Sequence, residues 1–141
     1  MVCIYYEDTE VLDVSPEFFV SWLTSVATLE GWELGDINII FCSDEYLLDL
    51  NRKHLNHDYY TDIITFDYTN SGIISGDLFI SVDRVIDNAS ENHVMFHVEQ
   101  NRVVVHGVLH LMGYRDKTTE EQIEMTSKED WALGLIVPRE T

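Results

Sequence analysis

The sequence predicts a single α+β domain in which about four strands are covered by helices. Three observations lead there. Up to Ser81, short β-branched and aromatic runs alternate with amphipathic stretches. From Val82 onward the pattern is helical only. The length of 141 residues supports one substantial core and leaves too little chain for two, so residues 1–141 are expected to form one domain.

Val2–Tyr6 reads as a short strand. SPEFFVSWLTSVATLEGW follows as a helix, with Ser15 as N-cap and Pro16 at the first helical position. Phe18, Phe19, Trp22, Leu23 and Val26 form its apolar stripe, and Gly31 is its stop. Ile37–Cys42 is expected as the second strand, and Asp44–Leu55 as a short helix with Leu47, Leu48 and Leu50 inward. Two further strands begin at Asp62 (DIITFDY) and Gly76 (GDLFIS), joined by TNSGIIS as a hairpin or short loop. VDRVIDNASENH is amphipathic. VMFHVEQNRVVVHGVLHLM is apolar on nearly every side in its second half, so other elements must bury it. Gly113 ends that helix. Thr118 and Glu121 have capping-box spacing and open a last helix that runs to about Leu133.

The formal net charge of −18 favours solubility through self-repulsion. It argues against broad, nonspecific binding to nucleic acid, which needs lysine and arginine against phosphate, but leaves room for a local basic groove. Cys3 and Cys42 are far apart, sit in strand-like runs and lack CxxC spacing, so they read as buried thiols of a reducing compartment. No apolar run is long enough for a membrane span, and the N-terminus meets acid too early for a signal peptide. A soluble, cytoplasmic protein is expected.

All six histidines fall in pairs: His54 and His57, His93 and His97, His106 and His110. Residues four apart on a helix share a face, and two imidazoles so placed can close on one metal ion. Spacing alone does not choose among the pairs. What distinguishes His106 and His110 is the sequel HLMGYRDK, where Gly113 lets the chain double back and Asp116 follows three residues later. A third ligand from Asp116, with the fourth position left to water, is a catalytic type of zinc site. Glu120 is a rival third ligand, and Arg115-Asp116-Lys117 also reads as a plain solvated turn. In the protease motif HExxH a glutamate follows the first histidine. Here Gly107 stands in its place, which removes the general base and is expected to let a substrate pass close to the ion.

HGVLHLMGYRDKTTEEQIEM closely resembles the HGxLHLxGYDH signature of the YbeY family, metal-dependent endoribonucleases of bacterial ribosomal RNA maturation. Leu50-Asn51, Thr61–Phe66 and Gly76–Ser81 resemble the family's LN, TDVLSF and GDIxIS blocks in the same order. The resemblance runs from about Leu47 to Trp131, and the N-terminal strand-helix-strand agrees in layout only. It implies a small fold with one mixed sheet around the helix that carries the HGxLH motif. It also implies one zinc-like ion held by three side chains, single-stranded RNA as substrate, work on small-subunit ribosomal RNA and ribosome quality control, and ribosomal components as partners. The first two family ligands fall on His106 and His110. The chain departs from the signature twice. Asp116 stands where the family has its third histidine, with Arg115 where it has aspartate, and Leu55 stands where it usually has an RNA-contacting arginine.

The expected site is therefore one zinc ion, or another divalent metal, on His106, His110 and Asp116. Thr61, Asp62 and Asp77 are candidates to line the substrate groove, although turn and strand-end hydrogen bonding explains them equally well. Arg52 and Lys53 are candidates to replace the missing arginine. Two rival readings are a noncatalytic ribosome-assembly factor braced by a structural metal, and a metallohydrolase on another substrate such as a peptide.

Overall fold

The computed structural model describes residues 1–136, and its elements follow the alternation of the sequence. In chain order they are β1 (Val2–Glu7), α1 (Pro16–Leu29), β2 (Glu33–Cys42), α2 (Asp44–His54), β3 (Ile63–Asp67), β4 (Ile73–Ser81), α3 (Val82–Glu91), α4 (Phe96–Leu111) and α5 (Thr119–Leu133). The strands form one mixed sheet in the order β1-β2-β4-β3. β1 and β4 run parallel to β2, and β3 runs antiparallel to β4. The expected α+β architecture is present.

Helix boundaries follow local chemistry. The Ser15 and Ser43 side chains accept from the amides of Phe18 and Tyr46, capping α1 and α2. At Thr118 and Glu121 both reciprocal bonds of the capping box are made. Strand boundaries were less legible. β2 begins at Glu33, four residues before the expected Ile37, because a register irregularity between Leu34 and Ile37 breaks the alternation that marks a strand. Half of the expected linker is strand as well. Asn70 and Ile73 exchange both backbone hydrogen bonds around a two-residue turn in which Ser71 and Gly72 have positive φ. That turn lets β4 start at Ile73. Between α3 and α4 the helical pattern is interrupted at Asn92–Met95, where His93 has φ 56°.

The sheet has two unequal faces. α1 and α4 cover one, joined by side chains of β2 and β4 in a core that includes Phe19, Leu23, Ile39, Leu78, Val104 and Leu109. α5 closes this side, and the Trp22 indole N–H donates to the Ala132 carbonyl at 2.8 Å. α2 covers part of the other face over a smaller cluster around Leu47, Ile64 and Cys42. Burial, reinforced by the charges of Asp44, Asp83, Glu7 and Asp8, pushes the Cys42 thiol up to about 12. Cys42 is thus an inert core residue, and both cysteines are free thiols. Among the described residues no helix is long and apolar enough to cross a membrane.

Candidate metal centre

His106 and His110 are the half-buried positions in the otherwise buried second half of α4. The helix then ends in a Schellman arrangement. The Tyr114 amide donates to the Leu109 carbonyl, the Gly113 amide donates to the His110 carbonyl, and Gly113 adopts φ 98°. The reversal carries Asp116 back beside the two imidazoles. The two Nε2 atoms lie 3.0 Å apart, and Asp116 Oδ2 lies 3.3 Å from that of His106 and 3.5 Å from that of His110. Among the described residues these three form the group whose ligand atoms all fall within 4.8 Å of one another.

The far sides of the rings decide what the near sides offer. His106 Nδ1 donates to Glu129 Oε2 at 2.6 Å, and His110 Nδ1 donates to the Tyr114 carbonyl at 2.8 Å. A carbonyl has no proton to give, and an ionised carboxylate has none either, so each Nδ1 carries the hydrogen. In the neutral rings both Nε2 lone pairs then face each other beside a carboxylate. Three acceptors in contact repel one another unless a positive charge sits among them. Burial works against charge on His106, yet Glu129, Asp62 and Asp116 hold its pKa above the ordinary histidine value. The site thus recruits positive charge. Two imidazoles and a carboxylate, each imidazole oriented from behind by an acceptor, are a donor set that fits a divalent ion.

The cluster opens on a cleft of about 380 Å³, walled by β3 and by the loop between α2 and β3. Thr61 and Asp62 line this cleft. Burial lifts the Asp62 carboxyl above the usual range, against the pull of His106 and of nearby backbone amides. The structure does not bring Arg52 or Asp77 to the cleft. Arg52 is exposed and paired with Asp58 at 2.5 Å, and Lys53 is paired with Asp49 at 2.9 Å. Asp77 alternates with the buried Gly76 and Leu78 along β4, so it points away from α4 and accepts from Asn38 Nδ2 at 2.9 Å. Its strand hydrogen bonding accounts for it. Glu120 is exposed and lies outside the cluster.

Gly107 has a different role from the one its place in the motif implied. A Cβ there would lie 2.7 Å from Ile63 Cδ1 and 2.9 Å from Leu78 Cδ2, so the position faces the sheet and not the substrate. Gly107 lets α4 sit close on β3 and β4. Ala for Gly in a helix interior gains about 1 kcal/mol of propensity, while forcing a methyl into a packed core costs about 1–3 kcal/mol. The packing cost is expected to win, so Gly107→Ala should lower stability by roughly 1 kcal/mol, read as a lower urea midpoint. Gly107→Glu should lower it much further. Equal or higher midpoints would show that helix and sheet have room there.

Several site residues escaped the sequence. Glu129 lies on α5, and its signal was faint: a carboxylate on the same stripe as the buried Met125 and Ala132. The buried Asn51 donates from Nδ2 to the Tyr59 carbonyl at 2.9 Å and so holds the cleft loop. His57 and Tyr59 line the cleft, although the 54/57 pair had read as unremarkable. His93 and His97 are exposed, as expected.

The family model described as Endoribonuclease YbeY matches residues 6–136. The match therefore takes in the end of β1 and all of α1 and β2, beyond the blocks legible as motifs. Endoribonuclease YbeY of Cytophaga hutchinsonii is 49% identical over 135 residues, covering 95% of this chain and 94% of that protein. The protein of the same name from Flavobacterium johnsoniae is 48% identical over 136 residues, covering 96% and 97%. The fold is similar to the solution structure of TM1509 from Thermotoga maritima, with a TM-score of 0.63 at 24% identity over 94% of this chain and 87% of that one. A family match over nearly every described residue, and relatives close to half identical along their whole length, place the chain in the YbeY endoribonuclease family.

Proposed function

We propose that this protein is a zinc-dependent endoribonuclease that cleaves single-stranded RNA during maturation and quality control of the small ribosomal subunit in the cytoplasm. One observation carries the catalytic reading. Two Nε2 lone pairs and the Asp116 carboxylate converge at the wall of an open cleft, in a chain of an endoribonuclease family. His106, His110 and Asp116 would hold a divalent ion, which would supply Lewis-acid activation of a phosphodiester and of water.

The chain's own residues supply the rest. Glu129 and the Tyr114 carbonyl fix both rings with Nε2 toward the cleft. Asp62 adds a carboxyl at the cleft wall, which burial lifts above the usual carboxylate range. Ile63 and Ile64 give the cleft an apolar wall that limits water at the reacting phosphate.

The three-residue cluster favours an enzyme over a protein braced by a structural ion, because a structural site normally takes four protein ligands. Gly107 disfavours the peptide-hydrolase reading, since the position of the protease glutamate faces the sheet. The test is cleavage of a single-stranded ribosomal RNA fragment by the purified chain, before and after chelation and again after zinc is restored. Loss on chelation and recovery with zinc are expected. Cleavage that survives full metal removal would overturn the reading.

A further inference from the structure

The cleft is short of free cations. Among the described residues Lys117 is the one lysine or arginine lining it. Arg52, Lys53, Arg84, Arg102 and Lys128 are each paired with a carboxylate. In a chain of net charge −18, attraction of phosphate at this face is weak. RNA held here needs another source of affinity.

The loop between α2 and β3 offers one. Tyr59 is 56% exposed and Leu55 42% exposed, and both line the cleft that holds His106, His110 and Asp116. Exposed apolar side chains are ordinary singly, but this tyrosine is also held in place. Its hydroxyl hydrogen-bonds His57 Nδ1 at 3.0 Å, and the two rings stack with centroids 5.2 Å apart and planes 22° from parallel. Asn51, 1% exposed, fixes the backbone: its Nδ2 donates to the Tyr59 carbonyl, and its own carbonyl accepts from the amides of Leu55 and His57 at 3.1 Å each. An aromatic face presented to solvent and braced from beneath is pre-organised for a planar ligand.

We infer that the Tyr59 ring, braced by His57, is a stacking platform for an unpaired nucleobase of the RNA strand bound at the cluster. This deepens the proposed endoribonuclease function and rests on it. A base inside a duplex has no free face to offer, so the platform selects single strands without reading their sequence. It also takes over part of the binding that an arginine at position 55 would supply. Leu55 meets the base or sugar rather than the phosphate.

The probe is a fluorescent single-stranded RNA bound to the full chain in chelator, which prevents cleavage, and read by anisotropy. Tyr59→Ala is expected to weaken binding about 5- to 150-fold, and Tyr59→Trp to keep it. The dependence of affinity on salt should be unchanged in Tyr59→Ala, because no phosphate contact is lost. An oligonucleotide of dihydrouridine, whose saturated base is not planar, should bind wild type more weakly than uridine does, while Tyr59→Ala binds both alike. The wild-type comparison stands whether or not the variant folds. Equal binding of the planar and saturated strands by wild type would overturn the platform and leave the endoribonuclease reading intact. A wild type that binds neither strand and, with zinc, cleaves no RNA would overturn both.

Discussion

Asp116→Ala is expected to strip the protein of the proposed metal and abolish RNA cleavage. Asp116 Oδ2 lies within 3.5 Å of both imidazole Nε2 atoms. Removal leaves two ligands, and no other His, Cys, Asp or Glu of the described residues completes the group. Loss of an outer-shell partner alone costs about 10- to 100-fold in metal affinity, so loss of a ligand should cost more than about 100-fold. Asp116→His, which restores the residue of the family signature, should retain metal because imidazole also binds zinc at this position. His97→Ala removes one member of the other four-apart pair, is exposed, and should change nothing. Metal content after dialysis and competition against a chromophoric chelator measure all three. Unchanged metal in Asp116→Ala would remove the proposed centre.

Glu129→Ala is expected to weaken metal binding about 10- to 100-fold and to destabilise the metal-free chain as well. Glu129 serves two partners, with Oε2 at 2.6 Å from His106 Nδ1 and Oε1 at 2.8 Å from Arg102. Removing one member of a fully buried ion pair costs about 3–5 kcal/mol. Here Arg102 is 30% exposed and keeps Asp130 at 2.6 Å, so the expected cost is nearer about 2 kcal/mol. Glu129→Gln separates the two roles. Its amide oxygen still accepts from the His106 N–H, so ring orientation survives while the charge opposite Arg102 is lost. Affinity should then fall less than in Glu129→Ala. Urea unfolding of the metal-free protein and chelator competition give the two readouts. Wild-type values in both for Glu129→Ala would show that Glu129 supports neither partner.

How much was legible follows the range of the interactions. Ser15 and the Thr118–Glu121 box cap the helices they were expected to cap, because a cap is made within four residues. The histidine pair, the Gly113 reversal and Asp116 were legible for the same reason, all lying in one helix end and the bend after it. Asp77 was misread because strand alternation separates two faces without saying which one a helix covers. α4 lies on the face of Leu78, and Asp77 is on the other. Arg52 was misread because its nearest acid, Asp58, competes for it from a loop whose path the sequence leaves open. Gly107 was read from its place in a motif, whereas its neighbours Ile63 and Leu78 come from strands far back in the chain.

The fold class, the family blocks and the one helix face that carries both imidazoles can be read along the chain, because they depend on backbone periodicity and on contacts a few residues long. What stands behind each ring and in front of it comes from the packed fold. Glu129 reaches His106 from another helix, β3 supplies the cleft wall, and Asn51 sets Tyr59 at its mouth. Those contacts exist only after the sheet has chosen which helices cover each face, a choice made by packing the whole core at once and encoded at no single position of the chain.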